Sequence, residues 1–284
     1  MGEKTVRLEA VDRNQIPRIQ VLISCMFQDC RDLVKRTNVQ SDVLVVNQCS
    51  ENSTYEFQFY NKIGNVCKAR VINSIDRGLS ISRNLAIANA TGDICLICDD
   101  DEQLDDGYVD AIQSMFESNP EISVGAFRFK MPSNYYMNKT FWNEHKNIDY
   151  TSALKISSWQ IAFKRDDIVA NKIAFDNNIG SGKTKAGGEE KIFLHDCLKA
   201  GLKIKYFPIS IGKISYEVSQ WASNIFSEEY FVDWGYYTRR LKWGRFGAIG
   251  LSFLFAYKKR KEYKDKCTFD KALRSMLRGV LLKK

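Results

Sequence analysis

Four carboxylates stand in a row at Asp99-Asp100-Asp101-Glu102, directly after the apolar run Ile94-Cys95-Leu96-Ile97-Cys98. Adjacent anions repel unless water or a cation shields them, and oxygen donors of this kind suit a hard divalent ion. The run before them, bounded by Gly92 and the acids, has the length and composition of a buried strand. Ligands of open α/β sheets bind outside the carboxyl ends of strands, so Asp99, Asp100 and Asp101 stand where a metal and a substrate would sit. The later pair, Asp105 and Asp106, reads as a cap for a helix over residues 107–118, whose Tyr108, Val109, Ile112, Met115 and Phe116 share one face.

The other reactive side chains narrow the chemistry. Only two His are present, His145 in a polar loop and His195 in a helical pattern, which excludes a multi-His metal centre. Acid–base work therefore falls to carboxylates. The eight Cys have no framework spacing, and Cys95 and Cys98 point to opposite faces of one strand, so they share neither a disulfide nor zinc. Without a recognisable signal peptide, a reducing, cytosolic setting is expected. Gly182-Lys183-Thr184 imitates the end of a phosphate-binding P-loop, but position 177, where its first Gly belongs, is Asn.

These groups need a scaffold, and the apolar periodicity supplies one. The 284 residues are 44% hydrophobic, enough to fill the core of one large domain or two small ones. Strands are expected over residues 19–25, 42–47, 66–73, 94–98, 122–130, 155–164 and 202–207. Helices are expected over 80–90, over 107–118, and from about Glu189 to a closing Gly201. This alternation implies an α/β fold with a predominantly parallel sheet between covering helices. Residues 1–17 read as a loose lead and 134–149 as an irregular aromatic loop. A Gly-rich loop over 177–188 opens onto Glu189-Glu190, whose charges at a helix start are explained by the macrodipole alone.

Taken in order, several segments resemble the family 2 glycosyltransferases of the GT-A fold. They are the strand ending in Asn47-Gln48, the Ser82-Arg83-Asn84 helix, Gly92-Asp93, the apolar strand, Asp99-Asp100-Asp101, and the Gly-rich loop before Glu189-Glu190. The resemblance spans roughly residues 18–235 and is closest to bacterial enzymes that build capsular and other surface polysaccharides. It implies that Asp101, with Asp99, holds Mn2+ or Mg2+, while Asp99 and Asp100 reach the ribose and diphosphate of a nucleotide-sugar. Ser24, Asn47, Gln48 and Arg83 would complete the donor site. Asn47 and Gln48 stand where the family carries a base-reading Asp, and UDP is the expected nucleotide.

The same resemblance implies Glu190 as catalytic base, with Glu189 as the fallback. The base takes the proton of an acceptor hydroxyl as that oxygen attacks the anomeric carbon, and one in-line displacement inverts the configuration. Arg83 reads equally well as a surface residue of its helix, and Arg77 is a second basic candidate. Trp159 and Gln160 are implied to face the acceptor sugar, although an aromatic in a strand is more often core. No His occurs over residues 211–221, where relatives supply a further metal ligand.

The net charge of +8 gathers at the C-terminus. Residues 239–284 hold 15 Lys or Arg against three acids, whereas residues 1–238 hold 27 against 31. A catalytic domain over 1–235 and a basic amphipathic helical tail over 236–284 are therefore expected. The apolar stretch 246–257 has 12 residues, short of the ~20 needed to cross a bilayer. It is expected to lie on an anionic membrane surface, at the inner face of the cell membrane, with Leu273, Met276, Leu277, Val280, Leu281 and Leu282 repeating the theme. A cap on the catalytic domain and a homodimer contact are the alternatives; the acidic remainder disfavours nucleic acid.

The expected activity is metal-dependent, inverting transfer of a hexosyl or N-acetylhexosaminyl group to a saccharide acceptor, carried on a polyprenyl diphosphate. A nucleotidyltransferase and a non-catalytic carbohydrate- or membrane-binding protein are the competing readings, since fold does not dictate function.

Overall fold

Strand-period alternation builds the centre of the molecule. The computed structural model describes residues 17–132, 140–214 and 225–282. The chain opens with β1 (Ile19–Met26), α1 (Cys30–Arg36), β2 (Asp42–Gln48), β3 (Ser53–Tyr60) and β4 (Val66–Ser74). It continues through α2 (Leu79–Asn89), β5 (Ile94–Asp99), β6 (Glu102–Leu104), α3 (Tyr108–Ser118) and β7 (Val124–Lys130). Next come β8 (Lys146–Asn147), α4 (Tyr150–Ala153), β9 (Ile161–Lys164), α5 (Arg165–Ala170), α6 (Glu189–Lys199) and β10 (Ile204–Ile214). Three helices follow: α7 (Glu228–Thr238), α8 (Gly244–Tyr263) and α9 (Phe269–Leu281).

Among the described residues, ten strands form one mixed sheet in the order β3-β4-β2-β1-β5-β9-β7-β10-β6, with β8 paired to β10. Its centre, β4-β2-β1-β5, is parallel, and so is β7 with β10. Alternate residues feed two cores. Val21, Ile23, Val45, Leu96 and Cys98 pack under α1 and α3, while Leu22, Leu44, Val46, Cys95 and Ile97 pack under α2 and α6. Cys95 and Cys98 thus lie on opposite faces, as a period of two requires. The result is a three-layer α/β architecture.

Several expectations change. The strand expected over 155–164 shrinks to β9, because Ser158–Gln160 forms a 3-10 turn. The last strand runs past Pro208 to Ile214, with a register shift against β7 between Tyr206 and Ser210 where proline offers no N–H. Neither Asp105 nor Asp106 caps α3: its N-cap is Gly107, without a side-chain bond. Asp105 instead takes Lys130 and Ser210, and Asp106 takes Lys62 and Asn38. The lead over 1–16, loop residues 133–139, and residues 215–221 of the His-free stretch lie outside the described residues.

The C-terminal helices have their own core of Phe231, Trp234, Tyr236, Tyr237, Leu241, Ala256, Tyr263, Leu273 and Met276. Helices α7 and α9 touch backbone to backbone. A Cβ on Gly235 would lie 1.9 Å from the Met276 carbonyl oxygen, and one on Gly279 1.9 Å from that of Val232. The expected boundary at 235/236 falls inside α7, which runs unbroken from Glu228 to Thr238. Of the apolar residues of α9, Leu273, Met276 and Val280 are buried, whereas Leu281 is exposed. Among the described residues no helix is long and apolar enough to cross a membrane.

Candidate active site

The parallel centre of the sheet delivers four of the expected donor residues to one edge. In register, Ser24 lies beside Asp99, Cys25 beside Asn47, and Met26 beside Gln48. Their roles divide there. The Asn47 amide clamps the backbone of Gln28, accepting from its N–H at 3.2 Å and donating to its carbonyl at 3.3 Å, and also donates to Asn73. Gln48 accepts from the Gly78 N–H at 2.7 Å, and Ser24 accepts from the Ser82 hydroxyl at 2.9 Å. All three are buried. Asn47 and Gln48 therefore hold the loops that follow β1 and β4, where direct base contacts had been expected.

Arg83 is not a surface residue. It is 3% exposed, and its guanidinium donates to Asp99 at 2.8 Å and to Glu189 at 2.9 Å. Burial opposes its charge, but Asp99 and Glu189 outweigh that cost and push its pKa up. One cation thereby ties the acidic strand end of β5 to the first turn of α6, across 106 positions of sequence. The start of α6 itself is local in cause: Gly188, at φ +100°, turns the Gly-rich loop into the helix. Helix α6 starts only at Glu189, so Gly182-Lys183-Thr184 precedes a loop and forms no P-loop.

The two glutamates are unequal. Glu189 is buried against Arg83 and keeps one oxygen without a partner; burial, then Glu190, pushes its carboxyl up to about 7. Glu190 is also desolvated, yet Lys191, bonded at 2.8 Å, holds its carboxyl below the ordinary value. Lys191 is itself anchored on the Ile156 carbonyl at 2.6 Å. Glu190 is thus the ionised and partly accessible carboxylate of the pair, and Glu189 the buried one.

The acidic run shows the opposite stress. Burial, then Asp99, raises the Asp100 carboxyl, and burial with Asp99 and Asp100 pushes Asp101 up to about 7. Glu102, buried in β6, has both oxygens unpaired and its pKa pushed well up by burial and by Asp99. Crowded oxygen donors and orphaned buried oxygens fit a divalent cation. Among the described residues no three His, Cys, Asp or Glu converge on one point. A cation bound there would need substrate oxygens and water to complete its shell.

Trp159 and Gln160 do not join this edge. Gln160 is 1% exposed; its amide donates to the Phe127 carbonyl at 2.8 Å and accepts from the Ser157 N–H at 3.0 Å. Trp159 packs on Phe129, with ring centroids 5.1 Å apart, and on Phe141. Neighbouring Ser158 reaches the site instead, donating to Asp99 at 3.4 Å.

Residues 27–172 match the family model of glycosyl transferase family 2, just over half of the chain. The protein is a family 2 glycosyltransferase. No curated protein sequence matches it. Its fold is similar to that of S. aureus TarS residues 1–349, at 11% identity and a TM-score of 0.62, covering 93% of this chain and 81% of that one. The same protein in complex with UDP-GlcNAc gives 12% and 0.61 with the same coverage. The mannosyltransferase PcManGT from Pyrobaculum calidifontis, in complex with GDP-Man and Mn2+, gives 13% and 0.51, covering 96% of this chain and 72% of that one. At such identities the likeness is one of fold.

Two residues packed on the loops around this edge were not singled out from the sequence. Phe27 follows β1 at φ 51°, a left-handed conformation unusual for a bulky residue, and is 61% exposed under the guanidinium of Arg77, 5.3 Å from its ring centroid. Arg77 is held in place by the carbonyls of Cys49, Ser74 and Ile75. Tyr237 of α7 covers Gly188, where a Cβ would lie 2.7 Å from the ring. Burial first, with Tyr230, Glu190 and Glu189 adding to it, pushes the Tyr237 phenol well up. Both depend on contacts that leave no local pattern in sequence.

Proposed function

We propose that this enzyme moves a sugar from a nucleotide-sugar, with UDP as the first nucleotide to test, onto a saccharide acceptor in bacterial surface-polysaccharide assembly. The observation that carries the reading is the Arg83 bridge, which sets the acidic strand end opposite a helix start bearing an ionised carboxylate. The complexes of the fold neighbours with UDP-GlcNAc and with GDP-Man and Mn2+ support the donor class.

Asp101 and Asp99 would hold Mn2+ or Mg2+, which when bound supplies charge neutralisation to a departing diphosphate. Ser24 and the loops fixed by Asn47 and Gln48 shape the donor cleft, and Phe27 with Arg77 offers a flat face for the base. Asp100 flanks the ribose and diphosphate. Glu190 removes the acceptor proton as its oxygen attacks from the face opposite the nucleotide, inverting the anomeric centre. Arg83 holds Asp99 and Glu189 in place, so Glu189 serves as a positioning residue. Trp159 and Gln160 support the floor from within.

Calorimetry of UDP, GDP, CDP and dTDP against the protein, with Mn2+ or excess chelator, tests this. One nucleotide should bind at least about tenfold more tightly with Mn2+, and Asp101→Ala should lose that gain. Metal-independent binding, unchanged in Asp101→Ala, would remove Asp101 from the metal site. Binding of no nucleotide in either condition would overturn the donor assignment.

A further inference from the structure

Helix α8 wears its apolar residues on the wrong side for an ordinary surface helix. Its inward positions are Ala248, Ser252 and Ala256, all fully buried and spaced one turn apart. Its outward stripe is Phe246, Ile249, Phe253, Leu254 and Tyr257, exposed by 90%, 37%, 50%, 47% and 60%. Those positions fall at successive spacings of three, four, one and three, a single continuous face of a helix. Together they present on the order of 500 Å² of apolar surface, near the upper limit for the largest patch on a soluble monomer. Small residues inward let α8 lie close on α7 and α9; large residues outward need another partner.

Charge says which. Exposed Arg245 stands at the start of the stripe, and exposed Lys258, Lys261 and Lys264 follow its end. Arg260 lies over the Tyr257 ring, 4.0 Å from its centroid. These belong to the segment with 15 basic and three acidic residues, whereas the rest of the chain is net acidic. A second copy applied to this face would bring two cationic rims together, which is unfavourable at a contact. A bilayer surface rich in anionic headgroups satisfies both features at once.

We propose that α8 is a membrane-docking face. The stripe from Phe246 to Tyr257, ~17 Å long, lies in the headgroup boundary, and the basic residues engage lipid phosphates. Trp243, exposed at the N-terminal end of α8, adds an aromatic suited to that boundary. The face is rigidly connected to the site: the Lys242 N–H donates to His195 Nδ1 on α6, and Tyr237 seats on Gly188. Docking would therefore orient the catalytic edge relative to the membrane, which under the transfer reading brings it to acceptors carried on lipid. The docking itself requires neither donor nor metal.

The test is co-sedimentation of the full chain, without nucleotide, with vesicles of equal parts phosphatidylethanolamine and phosphatidylglycerol, or of phosphatidylcholine alone. Binding should favour the anionic vesicles by about tenfold or more and weaken with added salt. The variant Phe246→Glu/Phe253→Glu/Tyr257→Glu should lose that binding while its thermal unfolding is unchanged. Should it fail to fold, Lys258→Gln/Lys261→Gln/Lys264→Gln, at exposed positions, should still weaken anionic binding about tenfold. No preference for anionic vesicles, or variants that bind like the wild type, would overturn the proposal. So would light scattering in which the Glu variant turns a dimer into a monomer and vesicle binding stays the same. Nucleotide calorimetry on the same samples reports separately on the transfer reading.

Discussion

The sheet edge and the C-terminal helical unit solve opposite problems. At the edge, Asp99 and Glu189 pair with one buried cation, Arg83, and several of the neighbouring carboxyl groups are pushed out of their ordinary range. The helical unit keeps its interior neutral, with aromatics and backbone contacts at Gly235 and Gly279, and places its many cations outside. Electrostatic stress is thus confined to the place where charge must be handled during transfer, while packing holds the helices to it. Several contacts join the regions, among them Tyr237 on Gly188, Lys242 on His195, Arg240 with Asp176, and Asp233 on the Lys185 N–H.

Substitutions can break this contrast in graded ways. The largest effect should come from Glu190→Gln, which removes a proton acceptor but little packing. Transfer should fall by about a hundred- to ten-thousand-fold with nucleotide affinity unchanged. Near-normal transfer in a steady-state assay would move the base to Glu189.

Arg83→Met should act on fold as well as rate, because it strands Asp99 and Glu189 without their cation. Loss of one partner from a buried ion network costs about 3–5 kcal/mol, readable as a lower midpoint in denaturant unfolding. A variant as stable as the wild type would mean that water, not Arg83, neutralises that edge.

In the helical unit the corresponding break is steric. Gly279→Ala gains about 1 kcal/mol in helix propensity but drives a methyl into the Val232 carbonyl. Backbone cannot step aside as a side chain does, so a net loss of about 1–3 kcal/mol is expected. Equal or greater stability would show that α7 and α9 can separate freely.

The smallest effect concerns the joint between the regions. His195 Nε2 donates to the Tyr150 carbonyl at 2.9 Å, and Nδ1 accepts from Lys242, so the neutral ring is already fully paired. Burial, with Lys199 and Lys242 adding to it, pushes its pKa down to about 4, against a partly compensating Tyr150 carbonyl. The unfolded chain then takes up the proton first, and stability is lost as pH falls from about 6.5 towards 4. Between pH 7 and pH 5 the wild type should lose about 2 kcal/mol more than His195→Gln. Parallel pH profiles would show that the ring does not stay neutral.

Much of this molecule was legible in local patterns. Apolar runs at Ile19–Met26, Asp42–Gln48 and Ile94–Asp99 declare themselves as strands because a side-chain period of two is a property of a few neighbours. The acids after Ile94–Cys98 could be placed at a strand end for the same reason, and the order of those segments pointed to the family. Elements with weaker local signals were missed or misjudged. The edge strand Ser53–Tyr60 buries little on either face, and the turn at Ser158–Gln160 forms because Gln160 finds Ser157 and Phe127.

What the sequence determined by itself was the α/β alternation, the acidic strand end, the glutamate pair at a helix start and the basic C-terminal region. Tertiary structure alone decided that Arg83 is a buried bridge, that Asn47 and Gln48 hold loops, that Trp159 is core, and that α8 turns its apolar stripe outward. The physical reason is distance along the chain. Backbone geometry is chosen among near neighbours, whereas the charge state and exposure of a side chain depend on partners up to 106 positions away.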